Sequence, residues 1–275
     1  MVMRTRTRWR GQGTWLRTAE PAASAGSAVP GGSAGWAYAA EPEDATVNLV
    51  CAPHAGGGAG VFGPWRPLLP QSVALHAVQL PGREDRFGES PMTDLDRVAD
   101  AVLPDLLALP ARPTVLFGHS LGGMLAHALA SRLQDAGRPA SHVVISACLP
   151  GDDPVPRPAI AGLPGAEFIA ALTRLGGLPA EFAEMPDLLD AFLPTLRADL
   201  RMAETYPPEA VIAAPMTVFV GASDDSAPRE ALVHWHRLAA SGFDVRVFPG
   251  SHFYLEVQPD LVVAAILRII EGLGR

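Results

Sequence analysis

The chain has 275 residues, 48% of them hydrophobic and 18% charged, a balance that supports a sizeable buried core in one large or two small domains. Its formal net charge of -8 and pI near 5.4 argue against nucleic acid as a partner. All 21 basic residues are Arg, so a pyridoxal phosphate Schiff base and a Walker-type phosphate lysine are both excluded.

Arg4, Arg6, Arg8 and Arg10 give a basic start, and Ala37-Tyr38-Ala39 mimics a cleavage site. Between them Glu20, Pro21 and Pro30 interrupt Ala/Gly/Ser-rich sequence, so the apolar core of a signal peptide is missing. Residues 1–44 are expected to be a flexible tail, and residues 45–275 one domain. No run approaches the 18 or so apolar residues of a membrane span, so no membrane partner is expected. Cys51 and Cys148 end apolar runs, form no CxxC pair and belong to no metal-spaced cluster. Buried free thiols, a reducing cytoplasmic setting and no bound metal are expected.

From Thr46 onward short apolar runs alternate with helical periodicity. Val47–Ala52, Val73–Leu80, Thr114–Phe117, His142–Ala147, Met216–Val220 and Asp244–Phe248 read as buried strands. Leu95, Val98, Val102, Leu106 and Leu107 share one helical face, as do Leu125, Leu129 and Leu133, whose helix should stop at Gly137. Ala231–Ala240 and Leu261–Ile270 supply two more helices. This pattern predicts an α/β fold with a mostly parallel sheet covered on both faces, and ligands at the strands' C-terminal ends. The alternation lapses over about 151–208, where Phe168, Ile169, Leu172 and Leu175, then Leu188, Leu189, Phe192, Leu193 and Leu196, recur at helical spacing. A stretch this long is an insertion, read as a helical lid, with Phe168, Leu172 and Phe192 as candidates to touch substrate.

Gly118-His119-Ser120-Leu121-Gly122 carries the strongest chemical signal. A strand precedes it and a helix follows, the context of the nucleophile elbow of an α/β-hydrolase. So sharp a turn needs residues without bulk two places either side of the serine, and Gly118 and Gly122 meet that need. A serine hydroxyl needs a base. Of eight histidines, His252 alone falls late enough, in the loop after the last strand, to fit the order Ser, acid, His. The acid should follow the preceding strand, where Asp224 and Asp225 both stand; Asp224 is preferred on spacing and Asp225 is the alternative. An oxyanion hole needs two N–H groups: that of Leu121, and one from Pro53-His54-Ala55-Gly56-Gly57-Gly58, with Ala55 preferred over Gly56.

With these residues in place the chain resembles a known family. Val50-Cys51-Ala52-Pro53-His54-Ala55-Gly56-Gly57, Phe62, Trp65, Leu80-Pro81-Gly82-Arg83-Glu84, the Ser120 elbow and Phe248-Pro249-Gly250-Ser251-His252-Phe253 are similar to the type II thioesterases of polyketide and nonribosomal-peptide assembly lines. The likeness covers about Val47 to Leu273. It implies hydrolysis of stalled or incorrect acyl groups from the phosphopantetheine arm of acyl or peptidyl carrier proteins, with no cofactor beyond the arm that the substrate carries. It also implies a triad of Ser120, Asp224 and His252 and a lid over them. Arg83, Arg86 and lid residues are candidate docking contacts for the carrier, although Arg83 with Glu84 reads first as a structural ion pair. Fold and triad leave other readings open: a carboxylesterase or lipase on small esters, an acyltransferase or cyclase using the same serine, and a binding module without activity.

Overall fold

The computed structural model describes residues 9–10, 14–19, 42, 44–150, 159–174 and 186–274. Eight strands form one sheet in the order β1-β2-β4-β3-β5-β6-β7-β8. They are β1 (Trp9–Arg10), β2 (Leu16–Ala19), β3 (Val47–Ala52), β4 (Val73–Val78), β5 (Thr114–His119), β6 (His142–Ser146), β7 (Met216–Gly221) and β8 (Phe243–Phe248). From β4 to β8 every pairing is parallel, while β1 and β2 add an antiparallel edge. This is the α/β-hydrolase type of fold that the alternating pattern predicts.

Alternation along the strands sorts side chains onto two faces. Val50, Leu116, Val143 and Ile145 point into one core with helices α1 (Leu95–Ala108) and α2 (Leu121–Asp135). Leu49, Cys51, Phe117 and Val144 point into the other, covered by a 3-10 segment at Ala59–Leu68 and by α6 (Pro259–Gly272). Cys51 and Cys148 are free, buried and on opposite faces of the sheet, so they cannot pair. The caps are local: Asp94 accepts from the Arg97 N–H at the start of α1. At the end of α2, Gly137 takes φ +73° while its own N–H and that of Arg138 reach Gln134 and Leu133.

Two expectations need correction. The tail reading fails at Leu16–Ala19, which pairs with β4, places Leu16 in the core and buries Arg17 against Asp85 at 2.9 Å. Four residues are too few for their alternation to stand out from a low-complexity surrounding. The helix expected over Ala231–Ala240 is a single turn, α5 (Arg229–Leu232), tightening into a 3-10 segment at Val233–Leu238. The tighter turn accompanies a fully buried Trp235, whose indole N–H donates to the Cys148 carbonyl at 2.6 Å.

Between β6 and β7 stand α3 (Gly165–Arg174) and α4 (Pro186–Thr205). They pack on each other through Phe168, Leu172, Leu189 and Leu196, with Ile160 closing the cluster. Arg197 lies over the Phe168 ring at 4.1 Å and donates to the Ala161 and Leu163 carbonyls. Phe168 and Leu172, read from sequence as substrate contacts, therefore belong to the insertion's own core; Phe192 is half-buried. Leu175 and the Leu188 side chain fall outside the described residues.

Candidate active site

Ser120 joins β5 to α2 with φ 56° and ψ −121°, a conformation that costs a non-glycine residue about 1–3 kcal/mol and clusters at functional sites. Sterics enforce it. A Cβ on Gly118 would sit 1.8 Å from the Gly122 carbonyl oxygen, and one on Gly122 would sit 2.1 Å from that of Ala52. The elbow is thus wedged against the end of β3, with Ala52 and Pro53 beside the first turn of α2. The Ser120 N–H is held by the Ser146 carbonyl at 2.8 Å. The Leu121 N–H opens α2, where the first turn's donors have no partner within the helix.

His252 follows β8, and Asp224 follows β7, its parallel neighbour. That adjacency brings side chains 28 positions apart in sequence to 2.8 Å, His252 Nδ1 to Asp224 Oδ2. Ser226 completes the pair, a residue that sequence reasoning missed. Its hydroxyl donates to Asp224 Oδ1 at 2.6 Å, its N–H reaches the same oxygen at 3.0 Å, and it lies 3.0 Å from His252 Nδ1. Burial pushes the Asp224 carboxyl upward, but hydrogen bonds and charge from His252 and the Ser226 bonds outweigh it and hold the pKa below the usual carboxylate range. Asp225, the sequence alternative, is exposed. With Nδ1 held by Asp224, Nε2 is the nitrogen of His252 left to serve a nucleophile. The imidazole's ring centre lies 5.1 Å from that of His119, the residue before Ser120.

His119 itself points away into the core and bonds Ser146 Oγ at 2.8 Å, and that hydroxyl pairs with Tyr254 Oη at 2.5 Å. Burial first, then the neighbouring His252 and His54, push His119 well below the usual histidine range, so it stays neutral beneath the catalytic candidate.

The loop after β3 supplies backbone donors, most of them taken. Gly56 N–H donates to Asp199 Oδ2 at 2.7 Å, Gly57 to the His54 carbonyl at 3.0 Å, Ala59 to Gln79 Oε1 at 2.8 Å and Gly60 to Glu84 Oε1 at 3.0 Å. This removes Gly56, the second choice from sequence, and favours Ala55. His54 Nε2 meets Glu256 Oε1 at 3.0 Å and its ring packs on Phe253, tying this loop to the segment that carries His252.

The model for the thioesterase domain matches residues 47–272. The chain belongs to the thioesterase family. It is 37% identical over 237 residues to the AMB antimetabolite synthetase AmbE of Pseudomonas aeruginosa, covering 85% of this chain and 11% of that one. It is 34% identical over 241 residues to the probable cadicidin biosynthesis thioesterase of Streptomyces griseus, covering 86% and 66%. The chain thus spans about a ninth of the first relative and just under two thirds of the second. Among solved structures, the RedJ thioesterase from the prodiginine biosynthetic pathway in Streptomyces coelicolor matches at TM-score 0.74 and 33% identity, over 86% of this chain and 90% of that one.

Within that family frame the charged residues beside the site need one correction. Arg83 does not pair with Glu84 and offers no docking surface, because it is 2% exposed and bridges to Asp199 on α4 at 2.5 Å. Glu84 instead takes the Gly60 N–H, and burial raises its pKa. Arg86 pairs with Glu89 at 2.6 Å and lies over Trp15. Among the described residues, no three His, Cys, Asp or Glu side chains are grouped to hold a metal ion, and no helix is long and apolar enough to cross a membrane.

Proposed function

We propose that this enzyme removes acyl groups from the phosphopantetheine thiol of carrier proteins, clearing stalled or incorrect intermediates from a polyketide or nonribosomal-peptide assembly line. The observation that carries the reading is the 2.8 Å Asp224–His252 pair, with His252 packed 5.1 Å from the residue before the strained Ser120, in a chain of the thioesterase family. The biosynthetic thioesterases among its relatives support that substrate class. Ser120 Oγ attacks the thioester carbonyl as His252 Nε2 takes its proton, and Asp224 steadies the imidazolium. The N–H groups of Leu121 and Ala55 receive the oxyanion. The C–S bond breaks and the departing sulfur takes the proton from His252 Nε2, so the arm leaves as a free thiol and the imidazole is neutral again. Water then attacks the acyl-enzyme while His252 takes its proton, releasing the carboxylic acid and restoring Ser120.

Two buried free thiols suit a reducing, cytoplasmic setting, and the carrier protein is the partner. Carrier proteins are generally acidic and this chain is itself at -8, so docking relies on local Arg side chains and apolar contacts rather than on overall attraction. The test is a panel of acyl-loaded carrier proteins followed by mass spectrometry, with wild type and Ser120→Ala. Wild type should restore the free thiol on the arm and Ser120→Ala should not. Faster cleavage of simple oxygen esters than of any carrier thioester bearing the same acyl group would transfer the assignment to a carboxylesterase.

A further inference from the structure

On α4, Thr195, Leu196 and Asp199 turn one face toward the loops around the site. Thr195 Oγ1 donates to the Gly82 carbonyl at 2.9 Å, and Leu196 packs so close to Gly56 that a Cβ there would lie 2.6 Å from its Cδ2. Asp199, 0% exposed, makes the central contacts. Its Oδ2 accepts from the Gly56 N–H at 2.7 Å and from Arg83 Nη1 at 2.5 Å, and its Oδ1 accepts from Arg83 Nη2 at 2.7 Å. Arg83 in turn donates from Nη1 to the Gly57 carbonyl at 3.1 Å and from Nε and Nη2 to the Pro81 carbonyl at 3.3 and 3.2 Å. One carboxylate of the insertion therefore holds the Ala55–Gly56 peptide directly and the Gly57–Gly58 peptide through Arg83.

We propose that Asp199 is a positioning residue for the oxyanion hole, so that the insertion's helix α4 is a fixed part of the catalytic apparatus rather than a freely opening cover. Gly56 has φ +77°, a conformation with no intrinsic preference to be there, and the Ala55–Gly56 peptide plane has two contacts: His54 Nδ1 on the Ala55 carbonyl at 2.9 Å and Asp199 on the Gly56 N–H, of which only the second is to a buried charge. A buried, bidentate, charge-assisted bridge fixes that plane where a neutral contact would let it rotate. Oxyanion donors act only when aimed at the charge before it develops, so a loop free to turn loses rate without losing substrate. The inference deepens the thioesterase reading and rests on it.

The test compares Asp199→Asn with wild type on an acyl N-acetylcysteamine thioester, each rate divided by the Ser120 sites that a fluorophosphonate labels to completion. Two inhibitors carrying the same acyl chain report separately on the hole: a boronic acid, which forms a tetrahedral anionic adduct on Ser120, and an unreactive amide. Asp199→Asn should lower kcat per labelled site by about 10- to 100-fold with KM within about 3-fold. Boronate affinity should fall in parallel and amide affinity should hold. Asp199→Glu, which keeps the charge but displaces it, should show the same split and carries the question if Asp199→Asn is not recovered folded. Thr195→Val, which loosens the same helix without touching the Gly56 bond, should stay within about 3-fold. The inference is overturned if kcat per labelled site stays within about 3-fold in the Asp199 variants, if amide affinity falls as far as boronate affinity, or if Thr195→Val loses as much. A wild type that labels at Ser120 yet turns over no thioester would instead refute the functional reading, and the variant ratios on a nitrophenyl ester would still judge Asp199.

Discussion

Lowering the pH should destabilise this protein before its carboxylates titrate, because His76 and His127 are fully buried in neutral form. His127 Nε2 faces the Ala210 carbonyl at 2.9 Å and its Nδ1 meets Tyr206 Oη at 3.2 Å, so both nitrogens are satisfied without a charge. Burial above all lowers each pKa to about 4, aided by Arg112 at His76 and Arg132 at His127. In the unfolded chain each returns to about 6.5, so the unfolded state binds more protons and stability falls as pH drops through that interval. The contribution is complete above about pH 6.5 and is lost progressively toward pH 4. At about pH 5 the linkage relation gives a loss of roughly 2 kcal/mol per histidine, about 4 kcal/mol from these two, against a typical total of about 5–15 kcal/mol; His119 and His142, also lowered by burial, add to it in the same direction. Glu84, whose pKa burial raises, works in the opposite direction and trims the loss. Urea unfolding at about pH 7.5 and pH 5, extrapolated linearly to water, measures it. His127→Gln, which cannot titrate, should reduce the wild-type difference by roughly 2 kcal/mol. A wild-type loss below about 1 kcal/mol, or an undiminished loss in His127→Gln, would refute the argument that burial keeps these rings neutral.

Two further substitutions address the site. Asp224→Asn should lower kcat by about 10³- to 10⁴-fold on a soluble acyl thioester, since the orienting charge behind His252 is lost, while Asp225→Asn should stay within about 3-fold. The reverse ranking would move the acid to Asp225. Gly122→Ala should destabilise the fold by about 3 kcal/mol or more, because the new Cβ meets the Ala52 and Pro53 carbonyl oxygens at 2.1 and 2.7 Å. Gly88→Ala, which meets nothing within 4 Å, serves as the control and should change stability by no more than about 0.5 kcal/mol in thermal melts.

What the sequence discloses tracks how local each cause is. The buried parallel strands are continuous apolar runs bounded by Pro and Gly, so β3, β4 and β5 are readable without knowing their neighbours. The end of α2 is equally local, since Gly137 alone supplies the positive φ. The edge strand β2 is different. Leu16–Ala19 is held by pairing with Leu16↔Val78 and by Arg17 reaching Asp85, sixty-odd residues away, and no short-range pattern distinguishes it from the surrounding Gly- and Ala-rich chain. The short turns after β7 likewise take their form from Trp235 entering the core rather than from propensity.

The site divides along the same line, and the division has a chemical reason. The candidate nucleophile, base and acid are legible because each lies at the C-terminal end of a strand whose order in the chain limits the choice. The groups that support them are not. Ser226 reads as an ordinary turn residue until the Asp224 carboxylate is seen to need a second donor, and two residues of separation is too common a spacing to mark it. Asp199 is harder still. On a 20-residue helix with Arg197 and Arg201 nearby it looks like part of a solvated charged face, and its partner Arg83 lies 116 positions away. Sequence periodicity sorts residues by polarity, and a buried ion pair defeats it because both members carry the signature of the surface. The reading of Arg83 as Glu84's partner failed for that reason: adjacency in sequence stood in for contact. In a domain with a helical insertion, the charged residues of the insertion are then the first place to look for groups that reach back to the site, since burying them demands a partner the parent sheet must provide.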